Sequence, residues 1–195
     1  TESSAASDVY KRQVLAGGQS SRMGATKALV SVDGRMMAAR VIDALRSGGC
    51  DPIVVMGGDP DELRPLGVPV WGDRHPGAGP LAGLVELLRR SGEEFPEATA
   101  LAVVACDLPW LEGAVIERLI AALEGAPDAE VCVARTDRPE PLCAVWRPSA
   151  AERDPAAFDS GHRARYQLRD TRRMVPVEYE AATVRNVKAP EDLHQ

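Results

Sequence analysis

The chain has 195 residues, of which 45% are apolar, so it is long enough to bury the core of one domain. Its formal net charge of -6 argues against a nucleic-acid binder, which needs a basic face to displace phosphate counterions. The charge does not exclude a small anionic substrate, because a few local cations are enough to bind one.

The first 13 residues are interpreted as a flexible tail, whether native to the gene or added to it. Residues 1–8 are small and polar, and residues 10–13 are too polar for a buried strand. The first strand is therefore expected to end at residues 14–16, directly before two glycines. Residues 14–195 are expected to form a single domain.

Beyond this strand, stretches with the spacing of helices alternate with short apolar runs. Helices are predicted at residues 36–45, at residues 81–88 and from near Pro109 to about Leu123. Strands are predicted at residues 52–56, 68–71, 99–105, 130–134, 142–146 and 174–179. Residues 149–173 are polar and Arg-rich and are expected to be helical, and residues 190–194 to form a terminal helical turn. This alternation indicates an α/β fold with a parallel sheet and right-handed crossovers.

The cysteines predict a reducing compartment. Cys50, Cys106, Cys132 and Cys143 form no C-x-x-C pair, and no histidine cluster accompanies them, so a zinc site is not expected. Cys106 and Cys132 lie in apolar runs, as buried thiols usually do. No apolar run is long enough to span a membrane, and we therefore expect a cytoplasmic protein without disulfides.

The glycine-rich stretch at residues 15–27 is the strongest functional signal. Gly17 and Gly18 directly follow a strand end, where glycine lets a ligand approach the backbone and consecutive amides form an anion site. Arg22 and Lys27 add positive charge to the same loop. The spacing matches neither the Walker A loop nor the dinucleotide-binding motif. An ordinary strand-to-helix connection is the alternative, but glycines and cations in combination favour a phosphate site.

Two carboxylates follow other strand ends. Asp107 comes directly after the most apolar strand, at the end of a sheet where α/β folds bind ligands, and can hold Mg²⁺ against triphosphate oxygens. Asp107 can equally cap a helix that begins near Pro109, and the residue alone does not separate the two roles. Asp73 begins a connection rich in glycine and proline, where it can accept a hydrogen bond from ribose or base or be an ordinary turn residue.

Five stretches together resemble the MobA-like family, the molybdenum cofactor guanylyltransferases. They are LAGGQSSRMGATKAL (15–29), DRHPGAGPLAGL (73–84), CDLPWL (106–111), PLCAVW (141–146) and NVKAPEDL (186–193). The resemblance covers nearly the whole chain. It implies a Rossmann-like, three-layer nucleotidyltransferase fold with a mostly parallel central sheet. It also implies transfer of GMP from GTP to a molybdopterin phosphate, with release of pyrophosphate.

The resemblance also implies roles for individual residues. The nucleotide would lie against Leu15, Ala16, Gly17, Lys27, Asp73 and Asp107. Arg22 and Lys27 would act on the reacting phosphates, Asp107 would bind Mg²⁺, and Asn186 would border the pterin acceptor. The implied ligands are GTP and molybdopterin. Contacts with molybdenum insertion proteins or molybdoenzymes are also expected, whereas nucleic acid and membranes are not.

Three positions depart from the family pattern. Met56 stands where the family often has an asparagine near the end of the second strand, and Lys188 and Ala189 replace the second asparagine and the threonine of N-x-N-T-P. The alternative is therefore a related nucleotidyltransferase that uses CTP or another NTP with a pterin or sugar-phosphate acceptor. A non-catalytic nucleotide-binding module is a further alternative, which a metal carboxylate disfavours because a binder does not need one.

Overall fold

The computed structural model describes residues 14–15, 27–74, 80–152, 173–187 and 192. Its strands are β1 (Val14–Leu15), β2 (Ser31–Val32), β3 (Arg35–Met36), β4 (Val55–Met56), β5 (Val70–Trp71), β6 (Leu101–Val104), β7 (Val131–Arg135), β8 (Pro139–Trp146) and β9 (Met174–Glu178). Its helices are α1 (Met37–Ser47), α2 (Pro60–Leu63), α3 (Pro80–Glu94) and α4 (Gly113–Glu124). The predicted α/β class is confirmed.

Three predictions fall wholly or mostly outside these residues. They concern the tail at residues 1–13, the helical region at 149–173, of which residues 149–152 and 173 are described, and the terminal turn, of which only Asp192 is described. None of the described helices is long and apolar enough to cross a membrane.

The strands pair in two larger groups that lie side by side. Strands β1, β4 and β5 run parallel in this order. The order of the second group is β6, β8, β7, β9, in which β7 and β9 are parallel and β8 is antiparallel to both of its neighbours. Because β1 packs against β6, the two groups are adjacent. Strands β2 and β3 form a separate antiparallel hairpin.

Helices cover both faces of the sheet. Leu101 and Val103 of β6 belong to the apolar cluster that includes α3, whereas Ala102 and Val104 belong to the cluster that includes α1 and α4. Successive side chains of a strand point to opposite faces, so β6 is buried on both. This three-layer arrangement explains the continuous apolar run of the sequence at residues 99–105.

Helices α1 and α4 meet at two glycines. A Cβ atom on Gly113 would lie 2.2 Å from Oγ of Ser47, and one on Gly48 would lie 2.7 Å from Cβ of Ile116. Neither position has room for a side chain. Gly48 is also the C-cap residue of α1.

Helix α4 begins later than expected. Its first residue is Gly113, and the residue before it, Glu112, is extended and makes no side-chain cap. Pro109 disfavours a helical conformation of the residue before it, so the chain forms turns between β6 and α4 instead. Asp107 lies in these turns, too far from Gly113 to cap the helix. The interpretation of Asp107 as a helix cap is therefore wrong.

The predicted burial of the Cys106 and Cys132 thiols is confirmed. Cys50 and Cys143 are also buried, and all four cysteines are free.

Candidate active site

The side chains of Lys27 and Asp107 meet at one edge of the sheet. Lys27 begins a single 3-10 turn, Lys27–Leu29, and Asp107 comes soon after the end of β6. Nζ of Lys27 donates a hydrogen bond of 2.5 Å to Oδ2 of Asp107, across 80 positions of sequence. The two side chains are only 17% and 20% exposed. The fold thus joins the cation predicted for phosphate to the carboxylate predicted for metal.

The second carboxylate oxygen of Asp107 fits a metal ion. Oδ1 is buried and has no hydrogen-bond partner among the described residues. A buried carboxylate oxygen is costly without a partner. Mg²⁺ is commonly held by one or two carboxylates together with substrate phosphates, and such a site needs no cluster of protein ligands. In the described part of the chain no group of three or more His, Cys, Asp or Glu residues is placed to hold a metal.

The neighbouring thiol is buried beside Asp107. Burial, together with the negative charge of Asp107, raises the pKa of Cys106 to about 12, and the charge of Lys27 opposes this rise only in part. A thiol with this pKa is protonated near neutral pH, so Cys106 is not an activated nucleophile.

The segment at residues 183–187 passes beside Asp107. The amide of Val187 donates a hydrogen bond of 2.9 Å to the backbone carbonyl oxygen of Asp107. The Val187 side chain is buried in a small apolar cluster with Val32 and Met37. Asn186, the predicted acceptor residue, directly precedes Val187 and is half-buried. Asn186 is therefore adjacent in the chain to a residue that is bonded to Asp107.

The carboxyl end of β4 offers backbone rather than side-chain groups. The amide of Gly57 donates to the carbonyl oxygen of Trp71 at the end of β5 over 2.7 Å. Gly57 and Gly58 have φ angles of 80° and 85°, a conformation that suits glycine. Met56 is only 1% exposed and packs in the cluster that includes α3. Its side chain is therefore withdrawn from any nucleotide bound at this edge.

Asp73 lies just beyond β5 and is exposed. The next residue, Arg74, forms an ion pair of 3.2 Å with Glu86 of α3, and the Glu86 side chain is only 6% exposed. This ion pair holds the chain after Asp73 against α3. The contact of Asp73 with a nucleotide stays a prediction.

The glycine-rich stretch is described only at its two ends. Leu15 pairs with Met56 in the sheet, and Lys27 follows at the far end of the stretch. Ala16, Gly17 and Arg22 lie outside the described residues, and their roles stay predictions.

A comparison with known families and structures agrees with this geometry. Residues 13–175 match the MobA-like NTP transferase domain family. The chain belongs to this family. A solved relative, molybdopterin-guanine dinucleotide biosynthesis protein A from Archaeoglobus fulgidus, has a TM-score of 0.69 at 25% identity, with 94% of each chain covered. The predicted nucleotidyltransferase fold is thus confirmed.

Curated relatives of this MobA-like chain carry names of one activity. It is 36% identical to the probable molybdenum cofactor guanylyltransferase of Mycobacterium ulcerans, over 92% of this chain and 89% of the relative. It is 38% identical to the molybdenum cofactor guanylyltransferase of Xanthomonas euvesicatoria, over 67% of this chain and 61% of the relative. Across four of the curated relatives, the chain spans between 61% and 64% of their length.

Arg40 lies at the site of this MobA-like domain but is not recognisable from the sequence. Its Nε donates a hydrogen bond of 2.8 Å to the carbonyl oxygen of Pro109, and its Nη1 donates one of 3.2 Å to the carbonyl oxygen of Val32. Both acceptors are backbone atoms, which leave no sequence pattern. One weak signal exists, because Arg40 is a cation near the start of α1, where the helix dipole disfavours positive charge.

Proposed function

We propose that this chain transfers GMP from GTP to the phosphate of molybdopterin and releases pyrophosphate, with Mg²⁺ bound at Asp107. The observation that carries the proposal is the contact of 2.5 Å between Lys27 and Asp107, beside the buried Oδ1 atom. This contact brings together the cation proposed to bind phosphate and the carboxylate proposed to bind metal. The names of the relatives support guanylyl transfer and the pterin acceptor.

Lys27 changes partner when substrate binds. Without nucleotide, its ammonium group neutralises Asp107. Mg²⁺ held by Asp107 would supply positive charge at this carboxylate and at the substrate phosphates. The long flexible stem of Lys27 permits its ammonium group to move from Asp107 to the phosphates. A cation about 4 Å from a phosphate oxygen contributes roughly 4 kcal/mol before desolvation, at an effective dielectric of about 20.

The transfer itself needs no strong protein base. The acceptor phosphate is already ionised near neutral pH, and one of its oxygens attacks the α-phosphorus of GTP. A new phosphorus–oxygen bond forms while the bond from the α-phosphorus to the oxygen shared with the β-phosphate breaks, and pyrophosphate leaves with the electron pair. Lys27, Arg22 and the loop amides stabilise the charge on the leaving group. Asn186 borders the acceptor.

A second candidate is a transferase that uses CTP or another NTP. The burial of Met56 favours it, because no side chain at this position is placed to select guanine. Under the guanylyl proposal, the base contacts come from Asp73, the carbonyl oxygen of Gly57 and the backbone of Gly58, since the Gly57 amide is already bonded to Trp71.

Release of pyrophosphate tests both candidates. The chain is incubated with molybdopterin, Mg²⁺ and each of the four NTPs in turn. Of the four NTPs, only GTP is expected to give release of pyrophosphate. The release should be lost when molybdopterin or Mg²⁺ is omitted. Release with CTP alone would replace guanylyl transfer by cytidylyl transfer. GTP binding in a calorimeter without release would instead favour a non-catalytic module.

A further inference from the structure

The loop that carries Asp107 is attached to the rest of the chain at two backbone carbonyls. The carbonyl oxygen of Asp107 accepts from the amide of Val187 over 2.9 Å. The carbonyl oxygen of Pro109 accepts from Nε of Arg40 over 2.8 Å. The second of these attachments is made by a side chain, so a substitution can remove it without altering the loop itself.

The same guanidinium group reaches the segment that carries Lys27. Nη1 of Arg40 donates to the carbonyl oxygen of Val32 over 3.2 Å and lies 3.7 Å from Oδ2 of Asp33. Val32 and Asp33 belong to the hairpin that follows the Lys27 turn, and the amide of Val30 donates to the carbonyl oxygen of Lys27 over 3.2 Å. The Arg40 side chain is only 27% exposed. One half-buried side chain therefore joins both halves of the candidate site.

We propose that Arg40 is a positioning residue that sets the separation between Lys27 and Asp107. The inference rests on the proposed function, which gives these two residues their chemical roles. The planar guanidinium donates in fixed directions, so it holds two carbonyl groups in a fixed relation, which the single ammonium of a lysine does not. Without this fork, the carbonyl groups of Pro109 and Val32 lose a shared donor, and the loop and the hairpin can shift relative to each other.

Such a shift is expected to change the orientation of the Asp107 carboxylate at the proposed metal site. The Oδ1 atom of Asp107 is buried, so its direction depends on the path of the loop. Removal of a hydrogen bond that orients a metal ligand typically lowers metal affinity about 10- to 100-fold. Arg40 contacts neither Oδ1 nor the ammonium of Lys27 in any bond described above. Its loss should therefore weaken binding of a metal–nucleotide complex more than it weakens binding of the metal-free nucleotide.

Mn²⁺ binding to the full chain in the presence of GTP tests the inference. The signal of free Mn²⁺ in electron paramagnetic resonance gives the affinity without any need for turnover. We expect Arg40→Gln to lower Mn²⁺ affinity about 10-fold or more, and Arg40→Lys, which keeps the positive charge and a long side chain but not the fork, to lie between Arg40→Gln and wild type. Affinity for GTP in EDTA should fall less than Mn²⁺ affinity in both variants. Arg46→Gln is the matched control, since Arg46 lies on the same helix and is 53% exposed.

The outcomes separate this inference from the proposed function. Wild-type Mn²⁺ affinity in folded Arg40→Gln would overturn the role of Arg40 and leave the proposed function standing. If the wild-type chain does not bind Mn²⁺ in the presence of any of the four NTPs, both the role of Arg40 and the proposed function would be overturned. If Arg40→Gln shows no cooperative unfolding in urea, Arg40→Lys decides: reduced Mn²⁺ affinity supports the inference and unchanged affinity overturns it.

Discussion

Nζ of Lys27 lies 2.5 Å from Oδ2 of Asp107, and both side chains are mostly buried. Removal of one partner from such a pair leaves the other charge uncompensated in a poorly solvated position. Under the proposed function, the two groups are also the ones that neutralise phosphate and hold metal. Substitution at either residue is therefore expected to affect both turnover and the free energy of unfolding.

Lys27→Ala and Asp107→Ala should each lower kcat by about 100-fold or more, because one removes the cation proposed to stabilise the phosphates and the other removes the proposed metal ligand. Each should also lower the free energy of unfolding in urea by about 1–3 kcal/mol. The double variant should lose less stability than the sum of the single variants, since the charge left behind is then absent. Near-normal turnover in either folded single variant would contradict both the proposed roles and the proposed site.

Met56→Asn should destabilise the protein and leave nucleotide preference unchanged. The side chain is buried in the core, so an amide there loses apolar contacts and lacks partners, at a cost of about 2–4 kcal/mol in urea unfolding. Met56→Leu conserves volume and is the control, with an expected cost below about 1.5 kcal/mol. A change of NTP preference in a fully stable Met56→Asn variant would show that position 56 faces the nucleotide after all.

Gly113→Ala should lower the free energy of unfolding by about 1–3 kcal/mol, because a methyl group there overlaps with Ser47 of the facing helix. Gly125→Ala is the matched control at the other end of α4. The nearest atom to a Cβ at Gly125 is 3.4 Å away, so alanine should be neutral or stabilising by up to about 1 kcal/mol. Equal melting temperatures for the two variants would contradict the close contact between α1 and α4.

The free energy of unfolding should fall as the pH rises above the ordinary range of thiols. Burial raises the pKa of Cys106 and of Cys143 from 9.0 to about 12, and burial raises that of Tyr179 from 10.0 to about 12. The unfolded chain therefore releases these protons first as the pH rises. For the two thiols, the stabilising contribution is complete below pH 9 and is lost progressively up to about pH 12. The slope in that window is about 1.4 kcal/mol per pH unit for each titrating group.

Urea unfolding at a series of pH values from about 8 to 11 measures this slope. Cys143→Ala should have a smaller slope than wild type, because one group no longer titrates differently in the two states. A free energy of unfolding that stays constant across the series would contradict the burial of the thiols.

The position of Asp107 at the end of the sheet could be predicted because it follows the clearly apolar strand β6. Lys27 is singled out by its glycine-rich stretch, since β1 is short and is preceded by polar residues. The direction of β8 could not be predicted. The predicted strand at residues 142–146 omits the first part of β8, where Pro139 and Pro141 are weak strand formers. With strands predicted at residues 130–134 and 142–146, the connection between β7 and β8 is expected to be longer than it is. The true connection, at residues 136–138, is short enough for an antiparallel hairpin.

The cap assigned to Asp107 and the missed role of Arg40 have another cause. An aspartate shortly before a predicted helix can be interpreted as its N-cap as long as the first residue of the helix is uncertain. The observed start of α4 at Gly113 decides against this interpretation for Asp107. Arg40 donates to backbone carbonyl groups of segments that are distant in sequence. Every residue has such a carbonyl group, so the identity of the residues does not mark these acceptors. Contacts of this kind depend on the tertiary fold and cannot be read from residue types.

Gly48 and Gly113 leave no clearance between α1 and α4, so α1 cannot rotate about its own axis without a steric clash. Arg40 projects from the opposite end of the same helix. Packing at these two glycines therefore helps to fix the position from which Arg40 reaches the carbonyl oxygens of Pro109 and Val32. If Arg40 has the proposed positioning role, a side chain at either glycine would disturb the candidate metal site as well as the contact between the two helices.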